Sequence, residues 1–191
     1  MRQARVLTDP ELKRLLAVVA QRKHAARDRM ALMLSHLAGL RVGEIAGLVM
    51  RDVFEPNGDV REQLRVRAGI AKGGHERVVF MSERLRKEIV RYRDALPDIA
   101  QRAGDAPLLL TQKRTAFSPN TLCQLMGQLY RAAGLDGASS HSGRRWFITQ
   151  LAHSGVSPKV IMTLAGHRNL TTTQRYIDVR DDMMRAAVEL L

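Results

Sequence analysis

Four side chains in the last third of the chain, His141, Arg144, His167 and Tyr176, are of the types needed to hold a phosphodiester and attack it with a phenol. They lie in two runs, HSGRRWF and LAGHRNLTTTQRYI, on short helical pieces expected to break at Gly143, Gly155 and Gly166. His141 and Arg144 are three apart and share one face of a helical turn. Arginine offers a planar fork of donors that matches two phosphate oxygens. Tyr176 follows His167 by nine residues, which leaves room for a turn at Arg168-Asn169 and a new helix from about Thr171. A tyrosine is a poor nucleophile at neutral pH unless its proton is removed and its target is polarised, so the phenol needs the cationic neighbours.

This pattern, H-x-x-R followed by G-H and a late tyrosine, resembles the tyrosine recombinases, also called the phage integrase family. The resemblance extends upstream. AGLRVGEIAGL, Ala38 to Leu48, is similar to the segment carrying that family's first catalytic arginine, here Arg41, and IAKGGHERVVF, Ile70 to Phe80, to the hairpin carrying its lysine, here Lys72. The resemblance implies a catalytic set of Arg41, Lys72, His141, Arg144, His167 and the nucleophile Tyr176, with Glu44 behind the arginines. It implies cleavage and rejoining of double-stranded DNA through a covalent 3′-phosphotyrosine, without metal or other cofactor, by a homo-multimer, a tetramer on DNA, linked through the C-terminal helix. Two positions depart from the pattern: Arg145 stands where relatives often carry a second histidine, and Gly143 where an apolar residue is common. The larger departure is an absence: most relatives carry a separate helical DNA-binding domain before the catalytic one, whereas the expectation here is one catalytic domain over 1–191 with no N-terminal core-binding domain, either a naturally minimal recombinase or an excised fragment. Two rival readings are a DNA-binding protein that uses this fold without cleaving, and a type IB topoisomerase-like relaxation activity.

The elements that must position these groups follow from composition and pattern. Of 191 residues, 45% are hydrophobic but only 4% aromatic, so Leu, Val, Ile, Ala and Met must fill the core, in a chain sized for one domain. Lys and Arg exceed Asp and Glu by 31 to 19, a net charge of +12, which favours a polyanionic partner, nucleic acid first. A single cysteine, Cys123, excludes an internal disulfide and points to the cytoplasm. The six histidines show neither i, i+4 pairs nor cysteine partners, so no metal site is expected. The uncharged, apolar stretch from Met30 to Leu40 is too short to span a bilayer.

Thr8-Asp9-Pro10-Glu11 reads as a capping box opening a helix with Leu12, Leu15, Leu16 and Val19 on one face. A second helix is expected from about Ala26 to Ala38, stopped by Gly39, and a short one from Val42 to Leu48 with Arg41 at its start. There Arg41 either faces an anion or forms a surface ion pair with Glu44. From Val49 to Phe80 the apolar period becomes two, with turns at Pro56 to Asp59 and Lys72 to His75, which predicts a three-stranded antiparallel sheet. At that hairpin Lys72 either leans into a groove or is an ordinary solvated lysine. Helices follow from Ser82, from Ser118-Pro119, from Ser139 or Ser140 (bearing His141 and Arg144), from Ser157-Pro158, and from Asp181 to Leu190 with a stripe of Met183, Met184, Ala187, Val188 and Leu191. The expected class is mixed α+β, mainly helical with a small sheet.

Overall fold

A computed structural model of the chain describes residues 4–71, 73–96, 98–99, 102–174, 176 and 181–189. Lys72 lies outside the described residues, as do Leu191 and the side chains of Met183 and Ala187 in the expected C-terminal stripe. Among the described residues no helix is long and apolar enough to cross a membrane.

Helix α1 (Asp9–Ala20) opens on the expected capping box: the Thr8 hydroxyl accepts from the Glu11 N–H, and the Glu11 carboxylate accepts from the Thr8 N–H at 2.9 Å. Helix α2 (Ala25–Ala38) is buried along most of its length and packs against α1, α4 (Glu83–Asp94) and α6 (Ser142–His153). It is the central rod of the domain. Gly39 ends it at φ 61°, a left-handed conformation that a side chain would strain. The five-residue α3 (Val42–Ala46) follows and packs against α5 (Pro119–Ala132). One large core joins Leu15, Met30, Leu34, Ile45, Leu64, Leu85, Met126 and Tyr130. A smaller one, Ile148, Ala152, Ile161 and Ala165, joins α6 to α7 (Pro158–Ala165), with Phe147, Leu151 and Tyr176 packed against it.

The expected sheet is corrected from three strands to two. β1 (Gln63–Val66) pairs antiparallel with β2 (Arg77–Phe80), Gln63 opposite Phe80 and Val66 opposite Arg77. The would-be first strand is a 3₁₀ turn, Met50–Asp52. The buried Asp52 carboxylate accepts from the Val49 N–H at 3.0 Å and from the Arg67 guanidinium at 2.9 Å, curling the chain. The N–H groups of Met50 and Arg51 donate to Ala106 and Gly104, in the loop before Pro107, rather than to β1. β1 itself stops at Val66, because Arg67 is drawn to Asp52 and to the Gly47 carbonyl, and residues 68–70 form a turn.

Two local expectations about α6 also change. His141 is its N-cap and makes no side-chain cap bond, while Ser139 and Ser142 close the preceding turn reciprocally: the Ser139 N–H donates to the Ser142 hydroxyl and the Ser142 N–H to the Ser139 carbonyl. Gly143 does not break the helix. It lies inside α6 where α2 comes closest, and a Cβ there would sit 2.6 Å from both His36 Nδ1 and Ser35 Oγ. The glycine is required by the packing of α6 on the central rod.

Candidate active site

Arg41 is the N-cap of α3, at the end of the turn that leaves Gly39. Its Nη1 donates to Glu44 Oε1 at 2.9 Å, its backbone N–H to Glu44 Oε2 at 2.9 Å, and its Nη2 to the Gly166 carbonyl at 3.1 Å. Arg144, in the first turn of α6, donates from Nη1 to the Gly39 carbonyl and from Nη2 to the Ala165 carbonyl at 2.6 Å. The two guanidinium groups therefore meet at consecutive main-chain oxygens, 165 and 166, where α7 ends. Gly166 closes α7 at φ 63°.

The ion pair of Arg41 with Glu44 is present, but it is no surface pair: Glu44 is 1% exposed. Its carboxylate is shared with a residue that sequence reasoning missed. Arg77, at the start of β2, donates from Nη1 and Nη2 to Glu44 Oε1 and Oε2, both at 2.7 Å, the bidentate geometry that suits a carboxylate best. The alternation in RVVF held the signal, since Arg77 falls on the face of buried Val79 while Val78 and Phe80 face solvent. Burial draws the Glu44 carboxyl upward; the Arg77 hydrogen bonds, the Arg41 N–H and both arginine charges outweigh it and hold the group below its usual range.

Arg144 is in the opposite situation. It is 6% exposed, and among the described residues no carboxylate pairs with it. Burial first, and then the charge of Arg41, lower its pKa to about 9, which leaves it cationic at neutral pH. A buried cation bonded to neutral carbonyls retains most of its capacity to bind an anion.

His167 follows Gly166. Its Nδ1 lies 2.8 Å from the hydroxyl of fully buried Thr173, in α8 (Leu170–Gln174), a second partner that the sequence did not announce. Burial, followed by the charges of Arg144, Arg41 and Arg77, pushes the imidazole down to about 4, so it is neutral under ordinary conditions. Tyr176 leaves α8 with its N–H on the Thr173 carbonyl at 3.0 Å. Its ring stacks near that of His167, centroids 6.0 Å apart and planes at 22°, and the Arg145 guanidinium carbon lies 5.6 Å from its centroid. Of the chain's three tyrosines, Tyr92 and Tyr130 are buried, and burial raises both phenols. Tyr92 is further tied to the Leu108 carbonyl at 2.8 Å. Tyr176 alone is half-buried at a cationic site.

Arg41, Glu44, Arg144, His167 and Tyr176 thus come together from segments far apart in sequence. His141 stands exposed at the head of α6, one turn before Arg144. The turn after Lys72 is tied to the residue that follows His167: the Gly73 carbonyl accepts from Arg168 at 2.8 Å, with Gly73 at φ 94°.

A fold of this kind, a helical domain with a small sheet and this arrangement of α2, α3, α6 and α7, is that of the tyrosine recombinase catalytic domains. The crystal structure of XerA recombinase superposes with a TM-score of 0.76 over 100% of this chain and 64% of that one, at 23% identity. The Tn1549 transposon integrase in complex with circular intermediate DNA does so at 0.72, over 99% and 67%, at 22% identity. The chain belongs to the phage integrase family, whose sequence profile matches residues 5–183. The tyrosine recombinase XerA of Pyrococcus horikoshii is 35% identical over 188 residues. That alignment takes in 96% of this chain and 60% of the relative, so the chain spans about three fifths of the length of the curated relative it matches.

Proposed function

We propose that this chain is the catalytic domain of a site-specific DNA recombinase or integrase that cleaves and rejoins strands through a 3′-phosphotyrosine. The observation that carries the reading is the buried, carboxylate-free guanidinium of Arg144 meeting Arg41 beside a neutral His167 and a half-buried phenol. Arg41 and Arg144 bind the non-bridging oxygens of the scissile phosphate and stabilise the charge that gathers there. Tyr176 Oη forms a bond to phosphorus as the bond from phosphorus to the 5′-oxygen breaks. The phenol's proton passes by way of His141 to solvent, and the departing 5′-oxygen takes one from Lys72. His167 hydrogen-bonds the phosphate, and His141, at the head of α6, assists the proton traffic. Glu44 aligns Arg41. The reverse attack by a 5′-hydroxyl from another strand completes the exchange. The net charge of +12 suits duplex DNA as partner. In α9 (Asp181–Val188), exposed Met184 and Val188 suit docking on a second copy within a tetramer on DNA.

The test is covalent capture. Nicked duplexes with a randomised core, which on cleavage lose the short fragment bearing the new 5′-hydroxyl, should trap the protein and reveal its preferred site. Tyr176→Phe should bind that site and give no adduct, while Tyr92→Phe should still trap. An adduct with Tyr176→Phe ends the assignment, and binding without any adduct from the unaltered chain leaves the non-cleaving DNA-binding protein as the reading.

A further inference from the structure

Arg145 follows Arg144 on α6, yet its guanidinium serves a different neighbourhood. Its Nη1 donates to the Ala4 carbonyl at 2.8 Å, and its guanidinium carbon lies 5.6 Å from the centre of the Tyr176 ring. Its Nε is buried and has no partner among the described residues. The Ala4 end of this bridge is itself fixed. The Arg5 N–H donates to the Gly137 carbonyl at 3.2 Å, Arg5 Nη1 donates to the Asp136 carbonyl at 3.3 Å, and the Arg5 guanidinium pairs with Glu11 at the start of α1. Among the described residues, the Tyr176 end is otherwise held by the His167 ring at 6.0 Å, one backbone hydrogen bond to Thr173, and packing against the cluster of Ile148, Ala152, Ile161 and Ala165. A planar guanidinium over an aromatic ring is attractive, more so where water is partly excluded.

We propose that Arg145 is a positioning residue for the Tyr176 nucleophile: its guanidinium seats the phenol ring beside His167, and its bond to Ala4 makes the segment entering the domain part of that seat. The proposal rests on reading Tyr176 as the nucleophile. Arg145 touches no reacting atom and acts through the ring. It also gives a use to one of the two positions at which this sequence departs from its family's pattern. A histidine at 145 has neither the length nor the fork of donors to hold a ring and a distant carbonyl together.

The experiment needs no DNA for its first arm. The full chain is labelled with 3-fluorotyrosine, which gives fluorine resonances from Tyr92, Tyr130 and Tyr176, assigned with the single Phe variants. Arg145→Met should move the Tyr176 resonance and leave the Tyr92 and Tyr130 resonances in place. Arg145→Lys, which keeps the cation, should lie nearer the parent. In the second arm, single-turnover capture on the duplex recovered above should slow on the order of tenfold in Arg145→Met, with DNA affinity retained and partial recovery in Arg145→Lys. An unmoved Tyr176 resonance overturns the proposal, and so does movement of all three, which marks a general structural role. A shifted resonance with an unchanged capture rate also overturns it, because the contact then positions nothing. If Tyr176→Phe still forms an adduct, the nucleophile reading fails first; if that variant is dead and Arg145→Met captures at the parent rate, the positioning role alone fails.

Discussion

Replacing Glu44 with glutamine isolates the electrostatic keystone of the site with almost no change of shape. The carboxylate accepts four hydrogen bonds, at 2.7, 2.7, 2.9 and 2.9 Å, from Arg77 twice, from the Arg41 side chain and from the Arg41 N–H. An amide keeps one oxygen and turns an NH₂ group toward donors, so one prong of the Arg77 fork must face a donor. It also leaves two guanidinium groups mutually repelling near a third. Breaking a buried ion pair by removing one partner costs about 3–5 kcal/mol. For a chain of this size each kcal/mol lowers Tm by roughly 2–4 °C, so Glu44→Gln should melt about 6–20 °C below the parent. The defect should shrink in acid. A depressed carboxyl contributes stability above its unfolded pKa of about 4.3, and that contribution is lost as pH falls through the lower folded value, so the two melting curves should converge below about pH 4. Calorimetry across pH measures both effects, and Arg77→Met supplies the coupling: the double variant should be less destabilised than the sum of the singles by about 1–3 kcal/mol. A Tm loss under about 2 °C at pH 7, or simple additivity, refutes the view that Glu44 holds the arginines in place. In the capture assay Glu44→Gln, with one more net positive charge, should bind DNA at least as well as the parent while forming adduct more slowly.

Burial also holds His36 at about 4, below its unfolded value of about 6.5; the unfolded chain therefore takes up the proton first, and stability should fall as pH drops between those limits. His36→Gln should flatten that part of the stability curve by up to about 1.4 kcal/mol per pH unit, and an unchanged slope would contradict the assignment. Gly143→Ala should cost about 1–3 kcal/mol, read by denaturant titration, because the added carbon collides with Ser35 and His36. Lys72→Ala should fail on ordinary DNA but recover on a substrate with sulfur at the bridging 5′ position, since a thiol (pKa about 8.5) leaves without a donated proton; failure of sulfur to rescue would make His141 the next candidate for the acid.

The helices were legible because their signals are local. The Thr8-x-x-Glu11 box, Ser157-Pro158 and the stop at Gly39 each act within one turn, and each falls where the pattern puts it. The site's main residues were legible through resemblance, and their convergence through none of the local rules, because it depends on where α2, α6 and α7 meet. The third strand failed for a definite reason: alternation over Val49, Arg51 and Val53 says nothing about Asp52, whose buried carboxylate captures Val49 and Arg67 and turns the chain. Arg77 and Thr173 were missed because they act through Glu44 and His167. The alternation in RVVF marks Arg77 as inward-facing, but a pattern of types and spacings does not name the group 33 residues away, Glu44, that it steadies.

Arg144 is anchored on the carbonyls of Gly39 and Ala165, and Arg41, besides its bond to Glu44, on that of Gly166, all of which belong to the main chain. Such an anchorage is insulated from drift in the surrounding side chains. A substitution at Ala165 alters packing in the α6–α7 interface without deleting the oxygen on which Arg144 rests. Outward-facing side chains of α6 and α7 can therefore be exchanged while the oxygens that hold the two guanidinium groups stay where the backbone sets them.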